Sequence, residues 1–97
     1  MVTWYGEQKL KDAAMARLRE HRRLDSFVQG DYFVDGRGCH LGCLTHDNQN
    51  AHKSTERMFG IPERIAYWLE AVFEGLPEDR CEWWAITATE AIPVAAD

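Results

Sequence analysis

Cys39 and Cys43, with His40, His46 and His52 nearby, are the residues of this chain whose types and spacing best suit metal binding or nucleophilic chemistry. Zinc takes four nitrogen or sulfur ligands in a tetrahedron, and Cys39, Cys43, His46 and His52 would supply them if the segment folded back on itself. Their spacing, Cys-x3-Cys-x2-His-x5-His, matches none of the common finger patterns, and Cys81 lies too far along to be placed. The competing reading makes both cysteines small buried hydrophobes under a glycine-rich turn. A Cys–His nucleophile needs an activating imidazole and a third group to orient it. Adjacent Cys39 and His40 would point apart in a strand, and no oxyanion-hole motif accompanies them. Gly36, Gly38 and Gly42 do not lead into a Lys-Ser/Thr helix start, so no phosphate-binding loop is present. The expectation is a protein without catalytic residues, cofactor or resident metal, with the Cys39–His52 zinc centre as the alternative.

Carboxylates offer a second kind of chemistry. On a helix expected over 62–74, Ile65, Leu69, Val72 and Phe73 share one side, while Glu63, Glu70 and Glu74 line the other with Tyr67 among them. Glu78, Asp79 and Glu82 carry the negative charge into the next helix, where Trp83 follows. Such a row is either an ordinary solvated face or a docking surface for an Arg/Lys patch. The charge distribution makes docking a serious rival to the solvated face, which is the commoner explanation. Residues 1–30 carry six Lys/Arg against four Asp/Glu, residues 31–60 three against four, and residues 61–97 two against eight. An acidic face of this size repels nucleic-acid phosphates and attracts a basic partner. The expected partner-binding set is therefore Glu63, Tyr67, Glu70, Glu74, Glu78, Asp79, Glu82 and Trp83.

The elements that must position these residues are mostly helical. Glu7 to Gln29 is free of Gly and Pro and rich in helix formers. Leu10, Ala13, Ala14, Leu18, Leu24 and Val28 fall on one stripe, with Arg17 and His21 inside it. Arg17 is expected to lay its stem on the core, and His21 to be a hydrogen-bonded histidine at the core edge. Gly30 suits a C-terminal cap. Tyr32-Phe33-Val34 has strand propensity and Asp35-Gly36 is a hairpin-turn dipeptide, although Leu41 to Thr45 reads equally as a helical turn. Asp47 or Asn48 can cap a helix running to Phe59. Gly60-Ile61-Pro62-Glu63 and Gly75-Leu76-Pro77-Glu78 repeat one junction, with Gly closing a helix and Pro opening the next. The fold class expected is mainly α: four helices at 7–29, 48–59, 62–74 and 77–91, with room for a short β-hairpin over 31–44. In the last helix Cys81, Trp84, Ala85, Ala88 and Ile92 form the inward stripe and Trp83 and Ile86 point away from it.

Ninety-seven residues, 45% of them hydrophobic and including four Trp, fit a single domain over 1–97 that folds without staples. Three cysteines, an odd count, argue against a complete disulfide framework, and the first residues lack a basic start followed by an apolar stretch. No run approaches the roughly 18 apolar residues of a membrane span. A cytoplasmic setting is expected, with no membrane partner.

Gly38-Cys39-His40-Leu41-Gly42-Cys43-Leu44-Thr45-His46, Gly60-Ile61-Pro62, Phe73-Glu74-Gly75-Leu76-Pro77 and Glu90-Ala91-Ile92-Pro93-Val94 resemble the strings of a family of small phage, prophage and bacterial proteins, over most of the chain. The resemblance implies no fold, activity or catalytic residue, so no site is carried over from it. It does imply a phage-associated origin, hence the host cytoplasm. By analogy of size and charge, it suggests an inhibitor of host defence of the anti-CRISPR kind. The function expected is a non-enzymatic binding protein that blocks a host nucleic-acid-handling complex through its acidic surface. Its partner would be a host protein or protein–nucleic acid complex with a basic surface, without direct nucleic-acid contact. A homodimer joined through Trp83 and Ile86 is a further reading.

Overall fold

A computed structural model describes residues 2–30 and 33–95. A 3-10 turn, Thr3–Gly6, precedes α1 (Gln8–Arg23). A two-stranded antiparallel hairpin follows, β1 (Phe33–Val34) with β2 (Arg37–Gly38), and then α2 (His40–Thr45), α3 (Ala51–Phe59), α4 (Glu63–Gly75) and α5 (Glu78–Glu90). Among the described residues the protein is mainly helical, with four long helices and one short one. In the hairpin Phe33 pairs with Gly38 and Val34 with Arg37 across the Asp35-Gly36 turn, where both turn residues hold the positive φ such a dipeptide tolerates. The expected strand residues Asp31 and Tyr32 lie outside the described residues.

The short helix α2 is the hub. All six of its residues are buried: four are apolar or glycine, and the polar His40 and Thr45 are hydrogen-bonded to the Thr89 hydroxyl and the Leu41 carbonyl. It packs on α1, α3, α4 and β2, while α4 and α5 pack on each other and α1 lies across α5. Leu41 and Leu44 of α2 meet Met15, Leu18, Phe27, Phe59, Ile61 and Phe73 in one core. The segment expected as the second half of the hairpin is thus the helical turn. A buried helix this short needs partners for its end groups. Glu70 of α4 accepts the Leu41 N–H at 3.1 Å, and the Arg17 guanidinium donates to the Leu44 carbonyl at 3.1 Å.

The first helix stops six residues earlier than expected, at Arg23 rather than at 29. Asp25 turns left-handed (φ 52°) and the Ser26 N–H returns to the His21 carbonyl at 2.9 Å. Ser26 also donates its hydroxyl to that carbonyl, the local competition by which Asp and Ser end helices. Residues 26–28 then run extended beside β2, with Val28 N–H donating to Gly38 O at 2.8 Å and Gly38 N–H to Ser26 O at 3.0 Å. Leu24 is consequently exposed rather than in the stripe, and Ala13 is exposed while Met15 is buried.

Helix α3 starts at Ala51 rather than at 48, because the Asp47 carboxylate takes the Gln49 and Asn50 N–H groups in the loop before it. The two repeated junctions share their prolines' conformation (φ −53° and −54°) but not their glycines'. Gly60 is a left-handed cap with φ 70°, whereas Gly75 is the last helical residue and extended Leu76 makes the turn.

Candidate functional site

The expected acidic face is divided among three neighbourhoods. Glu63, Tyr67, Glu70 and Glu74 do share one stripe of α4, but that stripe passes over α3 and the start of α2. At its beginning the Glu63 N–H donates to the Glu56 carboxylate at 3.0 Å. Tyr67, about half exposed, stacks its ring on His52 at 3.8 Å and 11°. Glu70 is a correction: it is buried, only 7% exposed, and is no part of an outer surface. Glu78, Asp79 and Glu82 gather with Asp25 around a shallow hollow at the start of α5. Burial and the Asp25 charge raise the Glu82 carboxyl above its ordinary value, with Arg22 acting in the opposite direction.

The buried end of the stripe is a thiol–carboxylate centre. The Cys39 Sγ and one oxygen each of Glu70 and Glu74 lie within 4.8 Å of one another. Cys39, at the N-cap of α2, hydrogen-bonds Glu70 through its thiol. Glu74, exposed and one turn on, takes the Gly30 N–H at 3.0 Å on each oxygen. Burial pushes the Glu70 carboxyl up to about 6 even though Cys39 and Leu41 donate to it, and the Glu74 carboxylate pushes the same way. Burial first, then the Glu70 charge, drives the Cys39 thiol far above its ordinary value and disfavours its thiolate form.

The four-ligand set expected from sequence does not converge. Cys43 is buried, directs its thiol to the Gly38 carbonyl at 3.2 Å, and is pushed up to about 12 by burial. His46 pairs with His21, and His52 lies against Tyr67. Among the described residues, Cys39 alone of that set stands in a cluster able to hold a metal. His21 is the core-edge histidine anticipated, held by Ser26 at 2.7 Å. His40 is fully buried, pairs with the Thr89 hydroxyl at 2.7 Å, and is held down to about 3 by burial. Its Nδ1 makes no hydrogen bond of proper geometry, although the Leu69 carbonyl lies close enough to oppose the downward shift slightly.

A groove between α4 and α5 is the feature sequence reasoning missed. It encloses about 550 Å³, and its lining is almost wholly apolar. Trp68 and Trp83 wall it, 55% and 51% exposed, and Ile65, Trp84, Ala88 and Ile92 lie between. The Trp84 indole donates to the Leu69 carbonyl at 2.9 Å and meets Trp68 edge to face at 5.3 Å. The Arg80 guanidinium sits over the outer Trp83 ring at 5.2 Å. Trp83 thus points outward as expected, but Ile86 does not: it is 8% exposed and joins the core. The groove was detectable in principle. Ile65, Trp68 and Val72 form a second apolar row beside the Ala66–Leu69–Phe73 row, wider than one core contact requires.

No protein-family model, curated protein or solved structure matches this chain. Among the described residues no helix is long and apolar enough to cross a membrane.

Proposed function

We propose that this chain is a non-enzymatic binding protein that docks an apolar, basic-flanked segment of a partner in the groove between α4 and α5. The observation that carries the reading is the pair of tryptophans, Trp68 and Trp83, each more than half exposed on the walls of an apolar groove. Large aromatic side chains beside an apolar hollow are common anchors of protein interfaces. The excess of eight acids over two bases in residues 61–97 supports a partner with a basic surface. Trp83 stays in the binding set, while Glu78, Asp79 and Glu82 gather around a separate hollow with Asp25 and supply charge near the groove without lining it. Glu63, Tyr67 and Glu74 are peripheral to the groove, and Glu70 leaves the set.

The setting we read for this docking is a phage-type inhibitor of a host nucleic-acid-handling defence complex, in the anti-CRISPR manner and in the host cytoplasm. An acidic protein would there meet a surface built to bind phosphates. A second copy of the chain is the competing occupant, with Trp83 without Ile86 as its contact.

Selection from a randomised peptide library tests the docking reading. The recovered peptides should combine aromatic or aliphatic residues with Lys or Arg and weaken as salt rises. They should bind the double variant Trp68→Ala/Trp83→Ala at least tenfold less tightly. Peptides that bind the double variant equally well overturn the groove. A concentration-dependent dimer in sedimentation, abolished by Trp83→Asp, assigns the groove to self-association instead.

A further inference from the structure

We propose that the segment received by the groove between α4 and α5 is an α-helix, an amphipathic one whose apolar stripe is edged by Lys or Arg. The inference rests on the docking reading above and narrows it from any apolar segment to one backbone conformation. The α5 wall runs from Trp83 to Ala91, about 12 Å at 1.5 Å per residue. Apolar anchors at positions i, i+4 and i+7 of a partner helix span about 10 Å, so two turns of such a helix fill that wall.

Backbone hydrogen bonding selects the conformation. An extended peptide buries N–H and C=O groups that need a strand edge or other unpaired groups to receive them. The long walls of the groove are helices, whose backbone groups bond along their own axes. The irregular backbone at the groove's end is committed as well. The Pro62 carbonyl accepts from Ile65 and Ala66, the Ile92 carbonyl from Trp4 and Lys11, and the Pro93 carbonyl from Thr3. Pro62 and Pro93 have no N–H, and the Ala95 N–H donates to Thr3. The Trp84 indole N–H is taken by the Leu69 carbonyl. Neither strand of the hairpin lines the groove, so the hairpin offers it no sheet edge. A helix satisfies its own backbone and brings only side chains to such a surface.

Charge selects a foreign helix over a second copy of this chain. Residues 61–97 hold eight acids against two bases, so a second copy would set two like-charged surfaces against each other. A helix carrying Lys or Arg beside its stripe meets the opposite sign. Glu78, Asp79 and Glu82 gather at the start of α5, the end of that helix on which Trp83 stands. The cationic flank of the partner helix therefore belongs at the Trp83 end of the groove.

Two peptide libraries selected on the full-length protein are the test. One randomises a single face of a stable helix, and the other carries Pro at every third position and cannot be helical. The helical library should yield binders with apolar residues at i, i+4 and i+7 and Lys or Arg beside them. As free peptides these should gain helix on binding, by circular dichroism, and bind at least tenfold less tightly once a central residue is changed to Pro. Thr87→Arg, a change at an exposed residue of the groove wall, should weaken them at least tenfold, as should Trp68→Ala/Trp83→Ala. If the double variant does not fold, Thr87→Arg decides alone. Binders from the proline library that lose affinity in Thr87→Arg overturn the helix and leave the groove reading standing. Binders indifferent to the groove variants overturn the groove reading, and the helix with it. Two empty selections overturn the helix as the occupant.

Discussion

His21 and His46 meet Nε2 to Nε2 at 2.8 Å with their rings nearly perpendicular, so one ring presents a hydrogen there and the other a lone pair. With the Ser26 hydroxyl hydrogen directed at the His21 carbonyl, Ser26 accepts the His21 Nδ1–H. The His46 Nε2–H then donates to His21. Burial first, and the Arg17 charge second, hold both imidazoles below their ordinary value, and His21 adds to the effect on His46. A histidine depressed in the folded state contributes stability that is lost as pH falls through the ordinary imidazole range near 6.5. Proton-coupled nitrogen shifts should show His46 keeping its Nε2–H at neutral pH. Replacing it with Ala should leave the His21 Nε2 unpaired. Equal Nδ1–H populations on the two rings would contradict this arrangement.

His40 gives the steepest acid response. Held to about 3 while the unfolded ring titrates near 6.5, it takes up no proton that the unfolded chain does at pH 5. Its share of the stability lost between pH 6.5 and 5 is about 2 kcal/mol. Urea melts of the wild type and His40→Gln should converge as pH falls, with the variant showing the shallower dependence.

Glu70 works in the opposite direction. Its folded value of about 6 stands above the unfolded carboxyl near 4.5, so the folded protein holds the extra proton between these values. Its contribution is largest at low pH and is lost as pH rises through 6, a difference of about 2 kcal/mol. Glu70→Gln keeps an oxygen for the Leu41 N–H. The variant should lose stability more steeply than the wild type as pH falls from 6.5 to 4.5. Parallel curves would refute the assignment.

The two junction glycines should separate sharply. At Gly60, φ 70° is combined with an added Cβ only 2.7 Å from the Val2 carbonyl oxygen, which is backbone and cannot swing aside. Gly60→Ala should therefore cost about 2 kcal/mol or more. A Cβ at helical Gly75 meets nothing within 4 Å. Gly75→Ala should be neutral or stabilising by about 0.5–1 kcal/mol. Thermal midpoints of the two variants settle the comparison.

The tryptophans divide in the same manner. Trp84 is partly buried and donates to Leu69 O, so Trp84→Ala should destabilise by about 2–3 kcal/mol. Trp68→Ala and Trp83→Ala, at half-exposed positions, should each cost under about 1 kcal/mol while reducing ligand binding. Chemical denaturation of the three single variants gives the ranking.

Much of the helical plan was legible because strong local signals agreed with the tertiary answer. Pro62 and Pro77 fixed the starts of α4 and α5 to within one residue. Where Asp25 and Ser26 bond back to the chain, local competition beat a run of good helix formers, and periodicity carried the first helix too far. The acidic stripe on α4 was correctly drawn as a stripe. Its direction was not, because only the packing of α2 decides that Glu70 faces inward. Spacing also grouped Cys43, His46 and His52 with Cys39, since proximity in sequence says nothing about the Glu70 and Glu74 carboxylates that meet Cys39 in space. The second apolar row of α4 signals an extra contact face, but Trp68 and Trp83 lie on different helices, and their packing is what shows that they face a common hollow.

Trp4 donates its indole N–H to the Ile92 carbonyl at 3.0 Å, and Thr3 bonds both the Pro93 carbonyl and the Ala95 N–H. These bonds span about ninety residues of chain, whereas α2, α3, α4 and α5 each pack on the next or nearly the next element. Closing so long a loop is entropically the most demanding step, and it is rewarded only after the intervening helices are in place. The clasp is expected to form late on the way to the native state, together with the packing of α1 on α5, and to open early on the way out. Substitutions at Trp4 should act mainly on the unfolding rate. The first form to open would keep α2 to α4 packed while baring Phe59, Trp4's ring partner at 5.6 Å, and that form sets the molecule's lifetime against proteases.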